Sequence, residues 1–267
     1  VTEPRPSVPV EPVSEDAPPL RGPVVMSQDW RDLAYLHWAV DPDRVADRMP
    51  AGVRPDEHDG RTYVGLVPFT MVGAGLGRGP AVPWLGTFYE TNVRLYSVDT
   101  TGRRGVVFLS LDSNRLGVVA GARLAFGTPY RWARMSHAVT DAGRTPGSRE
   151  GEVHTWSAVL RDRLARPRGA TSRVRLRVGA PREPTPLDLF LSARWGLHTR
   201  VARRTRYVPN QHPPWPLHAG ELLELEDQLV TSVGFPDLAA RPPDHVAFSP
   251  GVHTVFGLPV DARRPRR

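Results

Sequence analysis

The chain contains no lysine and no cysteine. Without a lysine amine it cannot form an imine with a carbonyl substrate, and without a thiol it has no cysteine nucleophile. The missing cysteines also exclude a disulfide framework, a redox dithiol and cysteine-ligated zinc. No P-loop can exist without lysine, and no Gly-x-Ser-x-Gly elbow occurs. No apolar run approaches the roughly 18 residues of a membrane-spanning helix. Residues 1–23 lack the apolar stretch of a secretory signal. These absences predict a cytoplasmic protein with no membrane partner.

The 267 residues include 40% hydrophobic and 24% charged types, the composition of an ordinary soluble globular protein. A chain of this length buries a core without covalent staples. All 35 basic positions are arginine, against 28 acids. A basic balance favours anionic partners. The arginines, however, form no stripe interleaved with aromatics. The densest groups are Arg200, Arg203, Arg204 and Arg206, and the tail Arg263, Arg264, Arg266 and Arg267. Nucleic acid is therefore the least supported partner.

Seven prolines among residues 1–23, at 4, 6, 9, 12, 18, 19 and 23, predict a disordered or polyproline-like tail. Residues 24–260 read as one domain and 261–267 as a short basic tail. Within the domain, strand patterns dominate: residues 33–40, 62–72, 88–98, 105–111, 131–140, 151–160, 172–178, 219–230 and 245–256. Asp41-Pro42 opens a short helix that Pro50 ends. Asp59-Gly60 signals a hairpin. Helices are expected over 114–126 and 186–195, and 197–208 is ambiguous. Residues 73–86 read as a flexible, glycine-rich loop able to act as a lid. Their Gly73-Ala-Gly75-Leu-Gly77-Arg78 run fails as a dinucleotide fingerprint, because Pro80 blocks the helix that must follow. The fold class is α+β and strand-rich.

The segment 88–96 carries the clearest functional signal. Side chains alternate across a strand. Phe88, Glu90, Asn92, Arg94 and Tyr96 therefore share one face, and Tyr89, Thr91, Val93 and Leu95 the other. The first face is either solvated or the wall of a polar cavity. Its mixture of aromatics with an acid, an amide and a guanidinium favours the cavity. In Pro129-Tyr130-Arg131 a turn presents a phenol beside a guanidinium, which suits proton transfer or simple packing. His37 lies in an apolar strand, as a satisfied core histidine or as a pocket acid/base. His212 and His218 flank Pro-Pro-Trp-Pro without a third ligand, so no metal is expected.

Trp30-x-x-Leu33, His37-Trp38-x-Val40-Asp41-Pro42, Pro50-x-Gly52, Asp59-Gly60 and Val64-Gly65-Leu66-Val67-Pro68-Phe69 stand in series. Glu90-x-Asn92-Val93-Arg94-x-Tyr96, Gly105-Val106-x-Phe108, Ala122-Arg123 and Pro129-Tyr130 follow. Leu191-x-x-Arg194-Trp195, Trp215-Pro216-Leu217 and Phe248-Ser249-x-Gly251-Val252 complete the series. It resembles the bacterial YqjF-like family of unknown function, which is similar in fold to acetoacetate decarboxylase. The resemblance implies an antiparallel β cone or barrel enclosing a cavity, with a few flanking helices. Carried over by position, the decarboxylase site arginine falls on Arg31, one glutamate on Glu90 and the lysine pair on Tyr130-Arg131. The second glutamate falls near residues 63–64, where no acid stands.

Imine-based decarboxylation is thereby excluded. The implied site has Glu90 and Tyr130 as catalytic groups, with Arg31, Arg131, Asn92, Arg94 and His37 as substrate-binding groups. It would take a carboxylic or keto acid in lyase- or isomerase-type acid/base chemistry without a cofactor. A non-catalytic ligand-binding protein is the second reading and a nucleic-acid-associated protein the third. The wider superfamily assembles into oligomers, so the resemblance also allows a homo-oligomer.

Overall fold

Strand patterning translates into long strands that pair with sequence-distant partners. The computed structural model describes residues 8–140, 147–162, 167–201 and 204–262. β1 spans Val24–Val40, followed by the one-turn helix α1, Asp43–Ala46. β2 (Val53–Pro55), β3 (Thr62–Leu76), β4 (Phe88–Asp99) and β5 (Arg104–Ser113) come next. Helix α2 (Leu116–Phe126) leads to β6 (Tyr130–Thr140), β7 (Val153–Leu160) and β8 (Thr171–Pro181). Helix α3 (Pro186–Ser192) precedes β9 (Gly196–Val201) and β10 (Arg204–Gln211). β11 (His218–Asp227), the helical turns α4 (Leu229–Ser232) and α5 (Pro236–Ala239), β12 (His245–Gly257) and β13 (Val260–Asp261) close the described chain.

The sheet closes on itself twice. Strand order is β13-β10-β9-β5-β6-β7-β8-β11-β12-β1-β3-β4-β2, with β4 also paired to β5 and β10 to β12. One ring therefore runs β5-β6-β7-β8-β11-β12-β1-β3-β4 and back to β5. A smaller ring runs β5-β9-β10-β12-β1-β3-β4 and back. The strands β12, β1, β3, β4 and β5 are common to both. Pairing is antiparallel except where β5 meets β6 and β9. Closure leaves fewer open edges for other chains to pair with.

Because the common strands belong to two rings, both of their faces are buried. Ala34, Leu36 and Trp38 of β1, Val64 and Leu66 of β3, and Val93 and Leu95 of β4 pack with Trp156, Leu160, Val174 and Leu176. These fill the larger ring. Each Leu or Val among them contributes about 1.5–3 kcal/mol when fully buried. The opposite face carries Leu33, Tyr35, Val67, Phe69, Met71 and Phe88, which cluster in the smaller ring.

Local signals act as the sequence implies. Asp41 accepts a hydrogen bond from the Asp43 amide, 3.0 Å, at the start of α1. Asp59 and Gly60 both have positive φ, 52° and 73°, as a two-residue hairpin turn of primed type requires. The ambiguous stretch 197–208 is the β9–β10 hairpin. Asn114 lies outside α2, because its side chain accepts from the Tyr89 amide, 3.0 Å, and fastens β4 instead.

Two expectations need correcting. Residues 73–86 are not a free loop. β3 continues through Leu76, and the excursion beyond it is tied back by Val82 N to Ala74 O and Ala74 N to Gly86 O, both 2.9 Å. Residues 8–23 have no helix or strand, as their prolines dictate, but they lie against the body. The Glu11 amide donates to Gly102 O, 2.9 Å, and Ser14 O accepts from the Trp195 indole, 3.1 Å. Residues 1–7, Arg203 and residues 263–267 lie outside the described residues.

Candidate functional site

The smaller ring is not filled. It encloses a cavity of about 360 Å³, within the size range of small-molecule sites. β1, β3, β4, β5, β9, β10 and β12 all contribute to its wall, and the 73–86 flap and Val118 of α2 cover one side. Most of the lining is apolar. The polar exceptions include Glu90, Asn92, Arg94, Tyr130, Arg194 and Asn210.

β4 supplies the first three by simple alternation. Val93 and Leu95 point into the packed core, so Glu90, Asn92 and Arg94 point into the cavity. Tyr130, at the first residue of β6, donates its hydroxyl hydrogen to Glu90 Oε2, 2.7 Å. Burial pushes the Glu90 carboxyl up to about 8, against the smaller lowering effect of that hydrogen bond. Burial also raises the Tyr130 phenol well above its ordinary range, and the neighbouring carboxylate adds to the effect. The pair is therefore largely a neutral acid and a neutral phenol at pH 7. Such a pair can give a proton to a ligand oxygen or, once ionised, take one from carbon.

At the other end of the same strand face the wall is cationic. The Arg94 guanidinium lies 5.4 Å from the Tyr35 ring centroid and donates to Leu191 O, 2.9 Å. Among the described residues no carboxylate pairs with it. Arg194 is 4% exposed and donates its Nε hydrogen to Phe190 O, 2.6 Å. Its Nη1 reaches Asp56, but Asp56 is shared with Arg104. Among the described residues Arg194 Nη2 has no partner. Trp30 Nε1, Tyr35 Oη, Asn92 Oδ1 and Asn210 Oδ1 are likewise buried and unpaired, and all four residues line the cavity. A buried polar atom without a partner costs about 1–3 kcal/mol. Their concentration around one cavity is the pattern of groups that a ligand satisfies.

The structure thus brings together four of the seven residues singled out from sequence: Glu90, Tyr130, Asn92 and Arg94. It places the other three elsewhere. Arg31 is exposed and ion-paired to Asp29, 3.1 Å. The cause is a break in β1: Asp32 has φ 52°, and pairing with β3 skips from Arg31 to Leu36. Before the break Met26, Gln28 and Trp30 face the cavity, and after it Leu33 and Tyr35 do. The extra residue reverses the alternation and leaves Arg31 outside.

Arg131 points away from Tyr130, as neighbours in a strand must. It chelates the fully buried Asp112 at 2.5 and 2.8 Å and donates to Ser232. His37 is wholly buried behind the wall, its Nε2 2.7 Å from the Tyr96 hydroxyl and its Nδ1 3.0 Å from His245 Nδ1. Burial and the neighbouring imidazole hold its pKa well below the ordinary histidine range. His212 and His218 do not meet. The first packs between Trp195 and Trp215, and the second contacts Gly179 O.

Arg194 was visible in the Leu191-x-x-Arg194-Trp195 motif, but nothing local marks it as a cavity residue. Its direction is set by α3 docking on the ring.

The model of DUF2071, described as an uncharacterized conserved protein, matches residues 27–253. The uncharacterized protein YqjF of Bacillus subtilis strain 168 is 28% identical over 204 residues, 74% of this chain and 76% of that protein. Among solved structures, an acetoacetate decarboxylase-like enzyme from Sphingomonas wittichii RW1 has a TM-score of 0.60 at 16% identity, covering 93% of this chain and 94% of that one. The enduracididine biosynthesis enzyme MppR, in complex with pyruvate, gives 0.58 at 16% identity over 91% of each chain. Acetoacetate decarboxylase from Legionella pneumophila gives 0.54 at 15%, again over 91% of each. These similarities show the acetoacetate decarboxylase-like fold, and the match over residues 27–253 shows that this chain belongs to the DUF2071 family.

Proposed function

We propose that this chain binds a small organic anion with an apolar body and a keto or carboxylic oxygen, and moves a proton on it as a lyase or isomerase does. One observation carries the reading: a largely apolar cavity is lined by a neutral carboxyl at Glu90, by the Arg94 guanidinium, which no described carboxylate pairs, and by Arg194, which shares Asp56 with Arg104 and keeps an unpartnered Nη2. The guanidinium end would hold the anionic group by charge-assisted hydrogen bonds. Glu90 would protonate a carbonyl oxygen or, after ionisation, remove a proton beside it, with Tyr130 donating to whichever carboxylate forms. Glu90 and Arg94 stand four residues apart on one strand, roughly 13 Å along it. The complex of MppR with pyruvate makes keto acids the natural first class. No imine takes part, because the chain has no lysine.

The test is deuterium incorporation at carbons next to the carbonyl, followed by NMR in D₂O. The panel is pyruvate, acetoacetate and longer oxo acids. Acceleration by the wild type that Glu90→Gln lowers by about 100-fold or more supports the reading. Absence of both exchange and any thermal stabilisation by the whole panel refutes it. The mostly apolar lining favours a second reading, a binding protein without catalysis. That reading predicts stabilisation by one of these acids with no exchange.

A further inference from the structure

A second polar cluster lies on the opposite side of the shared strands from the cavity. On β3, Thr70 has the same parity as Val64 and Leu66. On β7, His154 has the same parity as Trp156 and Ala158. These side chains therefore face into the larger ring, where they meet His137 of β6 and Asp32 at the break in β1. His137 Nε2 and His154 Nδ1 face one another at 3.0 Å. One ligand-capable atom from each of Asp32, His137 and His154 lies within 4.8 Å of the others. His154 is fully buried, and the other two are partly exposed.

The outer contacts decide which nitrogens are available. Glu152 Oε2 lies 3.1 Å from His154 Nε2. As a carboxylate it can only accept, so a hydrogen on His154 Nε2 directed at it leaves a bare Nδ1; Arg149 Nη2 also lies 3.4 Å from that Nε2 but makes its shorter contact, 2.6 Å, with Asp32. Thr70 Oγ1 lies 3.3 Å from His137 Nδ1. A hydroxyl can accept there, which fixes the hydrogen on Nδ1 and leaves a bare Nε2 facing His154. Two bare nitrogens at this separation call for a cation between them. Alternatively the hydroxyl donates, and His137 Nε2–H bridges to His154. Rotation of one hydroxyl and a tautomer change at His137 separate the two states. Carboxylate and hydroxyl partners behind ligating imidazoles are the usual outer shell of a metal site. Arg149 donates to Asp32 Oδ1 at 2.6 Å and to Glu152 at 2.9 Å, leaving Asp32 its second oxygen.

We propose that His137 Nε2, His154 Nδ1 and the Asp32 carboxylate form a site for a borderline-soft divalent cation such as Zn²⁺ or Co²⁺. Two imidazoles and one carboxylate select these ions over Mg²⁺, which prefers oxygen ligands. Ligands at zinc–nitrogen distance in a tetrahedron stand about 3.3 Å apart, so the 3.0 Å pair needs only a small separation. Three protein ligands leave a fourth position open to water. The site is separate from the cavity and stands whether or not the proposed function does.

The full chain, stripped with chelator, is titrated with Zn²⁺ calorimetrically and with Co²⁺ by visible absorption, with Mg²⁺ as control. The expected result is one Zn²⁺ per chain with Kd below about 10 μM. Co²⁺ should develop the intense d–d bands of a four-coordinate site. His137→Gln and Asp32→Asn should each weaken Zn²⁺ binding by about 10- to 100-fold or more, while His253→Gln, at an exposed histidine, should not. Failure of the wild type to bind Zn²⁺ overturns the proposal, as does binding that both cluster variants retain. If those variants do not fold, imidazole ¹⁵N shifts of the wild type decide. Zn²⁺ must move the signals of His137 and His154, and an unchanged pair refutes the site.

Discussion

Glu90 makes the stability of this protein depend on pH in a direction opposite to that of most carboxylates. Its carboxyl, 3% exposed, is raised from an ordinary 4.5 to about 8 by burial. Between those two values the unfolded chain has released the proton while the folded chain still holds it. Stability then falls with rising pH, by about 1.4 kcal/mol per unit for one such group. The contribution is fully present below pH 4.5 and is lost by the time pH has passed through 8. Across 3.5 units the upper bound is about 5 kcal/mol, and from pH 5.5 to 7.5 roughly 2–3 kcal/mol.

Glu90→Gln retains an oxygen to accept the Tyr130 hydroxyl but cannot ionise. Urea unfolding of wild type and variant at pH 5.5, 6.5 and 7.5 isolates Glu90, because all other titrations cancel in the difference. The variant should gain on the wild type steadily with pH, by about 2–3 kcal/mol over this range. Parallel pH profiles would show that Glu90 is ionised in the folded protein, and the general-acid role would fall with them.

Further outcomes follow from the placement of single residues. Arg31→Ala should change stability by less than about 1 kcal/mol, since it removes only an exposed ion pair, and it should leave ligand-induced shifts in melting temperature intact. Arg194→Met should abolish those shifts while leaving the fold recognisable by circular dichroism, because it removes the unpartnered Nη2 from the cavity. Arg131→Ala strands the buried Asp112 carboxylate and should cost about 3–5 kcal/mol in urea unfolding, of which the double variant with Asp112→Asn should restore part. Gly251 has φ 118°, and a Cβ there would lie 1.8 Å from Trp30 O. Gly251→Ala should therefore destabilise by about 3 kcal/mol or more, read as a fall in melting temperature.

Much of this protein is written locally. The absence of lysine settles by itself that no lysine imine forms. The period of two in residues 88–96 places Glu90, Asn92 and Arg94 on one face, and the folded strand keeps them there because Val93 and Leu95 have a core to enter. Turn chemistry at Asp59-Gly60 and the cap at Asp41 are equally local, since each depends on contacts within a few residues. The strand-rich class follows from the same patterning.

Other features exist only in three dimensions. Alternation read backwards from Leu33 and Tyr35 would put Arg31 in the cavity. A single left-handed residue, Asp32, reverses the count, and no pattern in the sequence announces that break. Arg194 became a cavity residue because α3 docks on the smaller ring, and Arg131 a structural one because β6 lies parallel to β5 beside Asp112. Whether the 88–96 face met solvent or a ligand space depended on double closure of the sheet. That closure is made by contacts between strands far apart in the chain, β4 with β5 and β10 with β12, and only the folded chain carries that information.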